Sequence, residues 1–247
     1  SVLKRTTFPF LFIIFLAAEY LSFSRAAWLS LFIIPLILMT FWLRIRLIYI
    51  SAGIVVLIVV ALLNLNAISG MLEQNTSRSN RGNLREQVES VPNIRNDISN
   101  LERINRWKCA LRMFRERPVF GFGSGTYQFT YGNFQLKPEM TRISTYNGEK
   151  GNAHSEFLNY LSETGIPGCL LFIALIFLTL KTAMKIIYNM KNHRVTYLMV
   201  TIILCLSTLY IHSFVNAFLD NDEIASLFYG STAAIVAIDI YFYKSEI

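Results

Sequence analysis

Six long, sparsely charged apolar runs dominate the chain, at roughly 6–23, 26–43, 47–69, 166–187, 196–215 and 224–243. At helical rise, about 20 apolar residues cross the hydrocarbon core of a bilayer. Each run is near that length, though the first is short. In lipid a spanning segment must satisfy its own backbone hydrogen bonds, which leaves helices as the natural reading for runs of this length. Pro35 inside the second run predicts a kink, which membrane helices tolerate. Composition agrees. Of 247 residues, 53% are hydrophobic and 16% are charged, whereas a soluble domain carries about 25% charge. A soluble enzyme and a disordered chain are both excluded. The expected fold class is all-α: a polytopic transmembrane helical bundle with a large extracytoplasmic loop of short helices. Three spans occupy 1–69, the loop 70–165, and three further spans 166–247.

The first run follows Lys4-Arg5 and could pass for a signal peptide, but Glu19-Tyr20 stands where a small-residue cleavage site belongs. It reads as a span. A chain that starts at Ser1 reads as the later part of a longer protein.

The net charge of +7 is distributed by topology. Outside 70–153 there are ten Lys/Arg. With six spans, Lys4, Arg5, Arg44, Arg46, Lys181, Lys185, Lys191, Arg194 and Lys244 fall on one side, which the positive-inside rule makes cytoplasmic. Arg25 falls on the other side, with the long loop and the acidic turn Asp220-Asn221-Asp222-Glu223. The loop holds 13 Lys/Arg and 8 Asp/Glu; long loops cross membranes largely regardless of charge. A basic surface outside the cytoplasm fits an anionic headgroup or a lipid diphosphate, and no nucleic acid is expected as a partner.

Within the loop, 73–100 is polar and reads as linker. Ser99 and Glu102 form a capping-box pair, predicting a helix from there to Pro118. Leu101, Ile104, Trp107, Leu111 and Phe114 make its apolar stripe, and Arg103, Arg106, Arg112 and Arg115 its polar face. Gly121-Phe122-Gly123-Ser124-Gly125 reads as a tight turn, with a backbone nest for phosphate as the alternative. No strand precedes it and no P-loop Lys follows. Tyr127, Phe129, Tyr131, Phe134 and Tyr146 alternate in places, as in a short extended segment. Such rings could stack on sugars, sit at the membrane interface or pack locally.

A second helix is expected from about His154 to Glu163, broken at Gly165-Ile166-Pro167-Gly168. His154 at a helix N-terminus would be held neutral by the helix dipole, the state a general base requires; the plainer reading is a cap or a packed residue. Arg25, in Ser24-Arg25-Ala26, is an interfacial anchor on the plain reading. Beside the loop arginines it would complete an anion clamp, since guanidinium binds phosphate bidentately and stays charged. Asp220-Asn221-Asp222 has a D-x-D form, but no third ligand has suitable spacing, so no metal and no cofactor is expected. Cys109, Cys169 and Cys205 form no paired motif and read as buried side chains.

Taken together, Ser24-Arg25-Ala26, Arg106-Trp107, Arg117-Pro118-x-x-Gly121-x-Gly123, Ala153-His154-Ser155-Glu156-x-Leu158 and Glu163-x-Gly165-Ile166-Pro167-Gly168 resemble the O-antigen ligase/polymerase superfamily over about 22–180. Members usually have ten to fourteen spans, so the resemblance is to the C-terminal half. It implies a metal-independent, inverting glycosyltransferase of the bacterial inner membrane, active on the periplasmic face. The donor would be a glycan on undecaprenyl diphosphate, and the acceptor lipid A-core or another glycan. Arg25 and Arg106 would hold the diphosphate, Arg117 would be a further phosphate ligand, and His154 would activate the acceptor hydroxyl. The resemblance leaves ligase, repeat-unit polymerase and protein-glycosylating ligase open. Two readings of other classes stand beside it: a transporter, against which few ionisable residues lie in mid-span, and a glycolipid-binding protein without chemistry.

Overall fold

The computed structural model describes residues 2–21, 25–50, 52, 53, 56, 60, 64, 84–145 and 151–243, with side chains described for 7–18, 21, 33–50, 52, 53, 56, 60, 64, 98–145 and 151–243. Most of the third predicted span, the stretch 65–83 and Tyr146 lie outside these residues. Among the described residues the secondary structure is helical, with no strand. In chain order the helices are α1 (Val2–Leu21), α2 (Arg25–Trp42), α3 (Leu84–Glu116), α4 (Tyr127–Thr130), α5 (Glu156–Asn189), α6 (His193–Val215) and α7 (Asp222–Ile238). Short 3₁₀ turns at Tyr131–Phe134 and Lys137–Glu139 follow α4, and a π-turn at Asp239–Tyr243 extends α7.

Three helical stretches, Glu156–Asn189, His193–Val215 and Asp222–Tyr243, are long and apolar enough to cross a membrane. The protein is an all-α membrane protein. Apolar helical stretches also occur at Thr7–Ala18 in α1 and Ile33–Trp42 in α2, where Pro35 lies inside the helix. The three C-terminal helices pack through a narrow core of Phe172, Ala183, Ile186, Met199, Ile203, Leu206, Phe228 and Ile235. Phe157 stacks on Phe214 with ring centroids 4.5 Å apart, and Tyr160 on Phe172 at 4.6 Å. Most other apolar side chains point outward, as for Leu171 at 71% exposure. That surface would be untenable in water and is ordinary against lipid. At one end of the bundle Lys185 donates to Asp239 at 3.2 Å, and the Arg44 guanidinium lies 6.0 Å from the Tyr188 ring centre. The ends of α2, α5 and α7 therefore meet there.

The loop differs from its sequence reading in three respects. First, α3 begins at Leu84, so 84–100 is helix rather than linker, and Ser99 lies inside it. Glu102 does not cap. It accepts from Arg106 Nε at 3.1 Å, from Thr141 Oγ1 at 2.8 Å and from Ser144 Oγ. Second, the most buried face of α3 runs through Glu102, Asn105, Cys109, Ala110 and Met113. At 100° per residue this is about opposite the expected apolar stripe, whose members are only half-buried. The small loop core brings its own partners: Tyr127, Tyr131 and Ala153 pack against Cys109, Ala110 and Met113. Third, the aromatic alternation is not a strand. Tyr127 and Tyr131 sit one helical turn apart and stack in parallel at 5.2 Å.

The loop is seated on α5 at a kink. Gly165 has φ 67° and ψ −160°, a region essentially closed to other residues. Its neighbour Ile166 donates its N–H to Pro118 C=O at 3.0 Å, and Pro167 has no N–H to give. The helix is thereby divided into a loop-bound first part and an apolar second part. A Cβ on Gly165 would overlap the Val119 carbonyl, and one on Gly121 would overlap the Glu163 backbone. Gly165→Ala is expected to cost about 1–3 kcal/mol for the backbone alone, with the overlap added. Thermal denaturation of the detergent-solubilised full-length protein should show a clearly lowered midpoint; an unchanged midpoint would contradict the kink.

Candidate functional site

The site is built where α3, the segment 151–155 and the turn between α6 and α7 meet. Arg106 projects from the buried side of α3. Its Nε donates to Glu102, its Nη1 to the Asn152 carbonyl at 3.3 Å, and its guanidinium lies 5.2 Å from the Tyr131 ring centre. A Cβ at 151 would displace that guanidinium from its present position.

Asn152 joins three elements. Its carbonyl accepts from Arg106, its Oδ1 accepts the His154 N–H at 3.1 Å, and its Nδ2 donates to Ala217 C=O at 3.3 Å and Asp220 Oδ2 at 3.1 Å. Glu156, in the first turn of α5, is buried and accepts the Leu219 N–H at 2.6 Å. Together they fix the 216–220 turn against the start of α5.

His154 sits two residues before α5, with φ +47°. Its carbonyl accepts from Trp107 Nε1 at 3.2 Å. Its backbone is held from both sides in an uncommon conformation. Burial, reinforced by the nearby Arg106 and Arg103 cations, lowers the imidazole pKa to about 4, with only Glu102 opposing. The ring is neutral at physiological pH. The expected helix-dipole effect has the same sign, but desolvation and the two guanidinium groups dominate.

Arg103 is the residue that the sequence reading left among the generic polar-face arginines. It is half-buried, its Nε is buried without a hydrogen-bond partner, and burial lowers its pKa. Arg106 and Arg103 lie three positions apart and share a helix face, yet only Arg106 has a carboxylate within its own helix. A signal was present: Glu102 stands four residues before Arg106, the spacing of a helical ion pair. It marks Arg106 as charge-paired and Arg103 as the guanidinium without a carboxylate of its own.

Arg25 is the first residue of α2, and its side chain lies outside the described residues. Arg117 does not join Arg106 and His154. It is exposed, 4.6 Å over the Phe122 ring, and 11 residues beyond Arg106, about 16 Å along a helical path. Arg112 is committed to Phe134 C=O at 2.8 Å and to Glu139, which Lys108 also pairs at 3.1 Å. The glycine turn is no phosphate nest. Glu163 fills it, accepting Gly125 N–H and Tyr127 N–H at 2.8 Å each, while Phe122 and Gly123 N–H bond to the Ser162 and Glu163 carbonyls. In the D-x-D stretch Asn221 caps α7, accepting from Glu223 and Ile224. Cys109 is buried with its thiol pKa raised to about 11, chiefly by desolvation, which leaves it unreactive.

A family profile described as O-Antigen ligase matches residues 10–173. Its span takes in the loop, the His154 segment and the kink, and the chain belongs to that family. The chain is also 32% identical over 91 residues to an uncharacterized protein of Haemophilus influenzae, a match covering 37% of this chain and 21% of that protein. The chain thus aligns with about a fifth of that relative's length. No solved structure matches it.

Glu163 supplies the acceptor for two loop N–H groups, so Glu163→Ala leaves both without a partner. A loss of about 1–3 kcal/mol per group is expected, with Glu163→Gln intermediate because one acceptor oxygen remains. Limited proteolysis of the loop in full-length protein should follow that order. Equal resistance in all three proteins would contradict the assignment.

Proposed function

We propose that this chain carries the catalytic half of a membrane glycosyltransferase that moves a glycan from undecaprenyl diphosphate to an acceptor hydroxyl, at the periplasmic face of the bacterial inner membrane. The observation that carries the reading is the pairing of an incompletely bonded guanidinium, Arg103, with a neutral imidazole, His154. Family membership supports a glycosyltransferase-like role in O-antigen or polysaccharide assembly.

The roles follow from charge. His154 accepts the proton of the acceptor hydroxyl as its oxygen bonds to the anomeric carbon. The bond from that carbon to the diphosphate oxygen breaks on the opposite face, with inversion, and the electron pair leaves on the diphosphate. Arg103 donates to the departing phosphate, taking over the charge stabilisation that a metal ion gives elsewhere. Arg106 positions the 151–154 segment through the donors that serve Glu102 and Asn152, and its remaining N–H groups, Nη2 among them, are proposed to join Arg103 on the diphosphate. Arg25, at the start of α2, is retained as a further diphosphate ligand, and Arg117 is not. The acceptor is lipid A-core or another glycan. Gene deletion distinguishes the two jobs found in the superfamily: finished polymer left on the carrier identifies a ligase, and single repeats identify a polymerase.

With purified full-length protein and a lipid-diphosphate donor, His154→Ala should lower transfer by about 10²–10⁴-fold and Arg103→Ala by about 10²–10³-fold. Arg117→Ala should leave it nearly unchanged. Activity of both site variants close to wild type would contradict the proposal.

The pH profile is a separate check. A base with a lowered pKa stays deprotonated, and active, until the pH falls through that value. The acid limb of kcat/KM should therefore lie at about pH 4, well below the ordinary histidine value. Bound diphosphate brings negative charge and raises the pKa, so the limb of kcat should lie at higher pH than that of kcat/KM. A kcat/KM limb at the unshifted histidine value would count against this environment.

A further inference from the structure

We propose that the turn Pro118–Phe120 is an interfacial wedge that inserts into the membrane leaflet adjoining the loop, setting the depth at which the loop rides on the bilayer. The inference rests on geometry alone and stands whether or not the chain transfers glycans.

Three observations lead to it. The turn is fixed to the membrane helix at one level: Ile166 N–H donates to Pro118 C=O at 3.0 Å, and the Val119 carbonyl packs against Gly165 so closely that no Cβ would fit. That level is where the hydrocarbon begins. From Ile166 to Lys185, whose ammonium pairs with Asp239, the helix is about 30 Å long at 1.5 Å per residue, the thickness of a bilayer core.

The side chains at this level are also apolar and uncovered. Phe120 is 80% exposed and Val119 54%. The turn is bonded to Ile166, which is exposed as well, and α5 goes on from there with exposed Leu170 and Leu171. The wedge thus continues a surface that already faces lipid. An exposed phenylalanine next to a valine is costly in water and favourable at the hydrocarbon boundary.

Finally, the residues just above are suited to headgroups. Arg115 and Arg117 are exposed, with Glu116 between them. The Arg117 guanidinium lies 4.6 Å from the Phe122 ring centre, and its exposed charge is available to lipid phosphate. Anionic phospholipid is the partner this arrangement fits.

The test uses full-length protein carrying Phe120→Trp, reconstituted in phosphatidylglycerol nanodiscs, with the emission of the parent protein subtracted. Phe120 makes little contact within the chain, so the substitution should fold normally. Phe129→Trp, at another exposed loop phenylalanine (76%) on α4, serves as the reference. The tryptophan at 120 should emit toward the blue, lose most of its intensity on lipids brominated near the glycerol end of the acyl chain, and resist acrylamide. The one at 129 should show the opposite pattern. Quenching of the 120 probe by acrylamide alone would place the turn in water and overturn the proposal. Resistance to both quenchers would mean that protein covers it, and would overturn the proposal equally.

Discussion

The loop is seated on the membrane helix where its backbone is joined to α5 by a short seam. Glu163 closes the glycine turn, Pro118 takes the N–H of Ile166, and Gly121 and Gly165 let the two backbones approach within side-chain distance. The seam sets the height of the glycine turn on α5, while Trp107 and Arg106 of α3 bond directly to the His154 and Asn152 carbonyls and hold the arginines beside His154. The seam also explains the kink. A straight α5 would carry its first turns away from the glycine turn, and a Cβ at 165 would keep the Val119 carbonyl out.

From the seam upward the site is governed by electrostatics in a partly dry setting. Two guanidinium groups flank one imidazole, and a single carboxylate, Glu102, is spent on Arg106, Thr141 and Ser144. The excess positive charge keeps the imidazole neutral and leaves Arg103 short of an acceptor. An anion bound there would satisfy both: it would supply the missing acceptor and relieve the repulsion. Asn152 makes the arrangement rigid by tying the His154 backbone to the turn that follows α6. The His154 position thus depends on three segments far apart in sequence.

Much of the fold was legible because lipid imposes a simple rule on sequence. Long apolar runs marked the last three spans, and Gly165 with Pro167 marked the break ahead of them. The loop was harder, since a small core resting on a membrane protein can be built from polar as well as apolar contacts. Glu102 and Asn105 are buried through hydrogen bonds, so a hydrophobic stripe pointed to the wrong side of α3. The glycine run read as a tight turn, and the phosphate nest stayed open beside it because nothing local reveals that a carboxylate 38 residues later occupies it. At the site, His154 was visible from its place before a helix. Arg103 was not, because only the Glu102–Arg106 pair distinguishes it from its neighbours on the same face.

The central claim is that Arg103 and His154 face one diphosphate. The most direct measurement is an experimental structure of the full-length protein in a lipid bilayer with a glycan on undecaprenyl diphosphate bound. The account predicts a phosphate oxygen within hydrogen-bonding distance of the Arg103 guanidinium and the anomeric carbon next to the His154 ring. A diphosphate bound elsewhere, with Arg103 and His154 both out of reach, would contradict it.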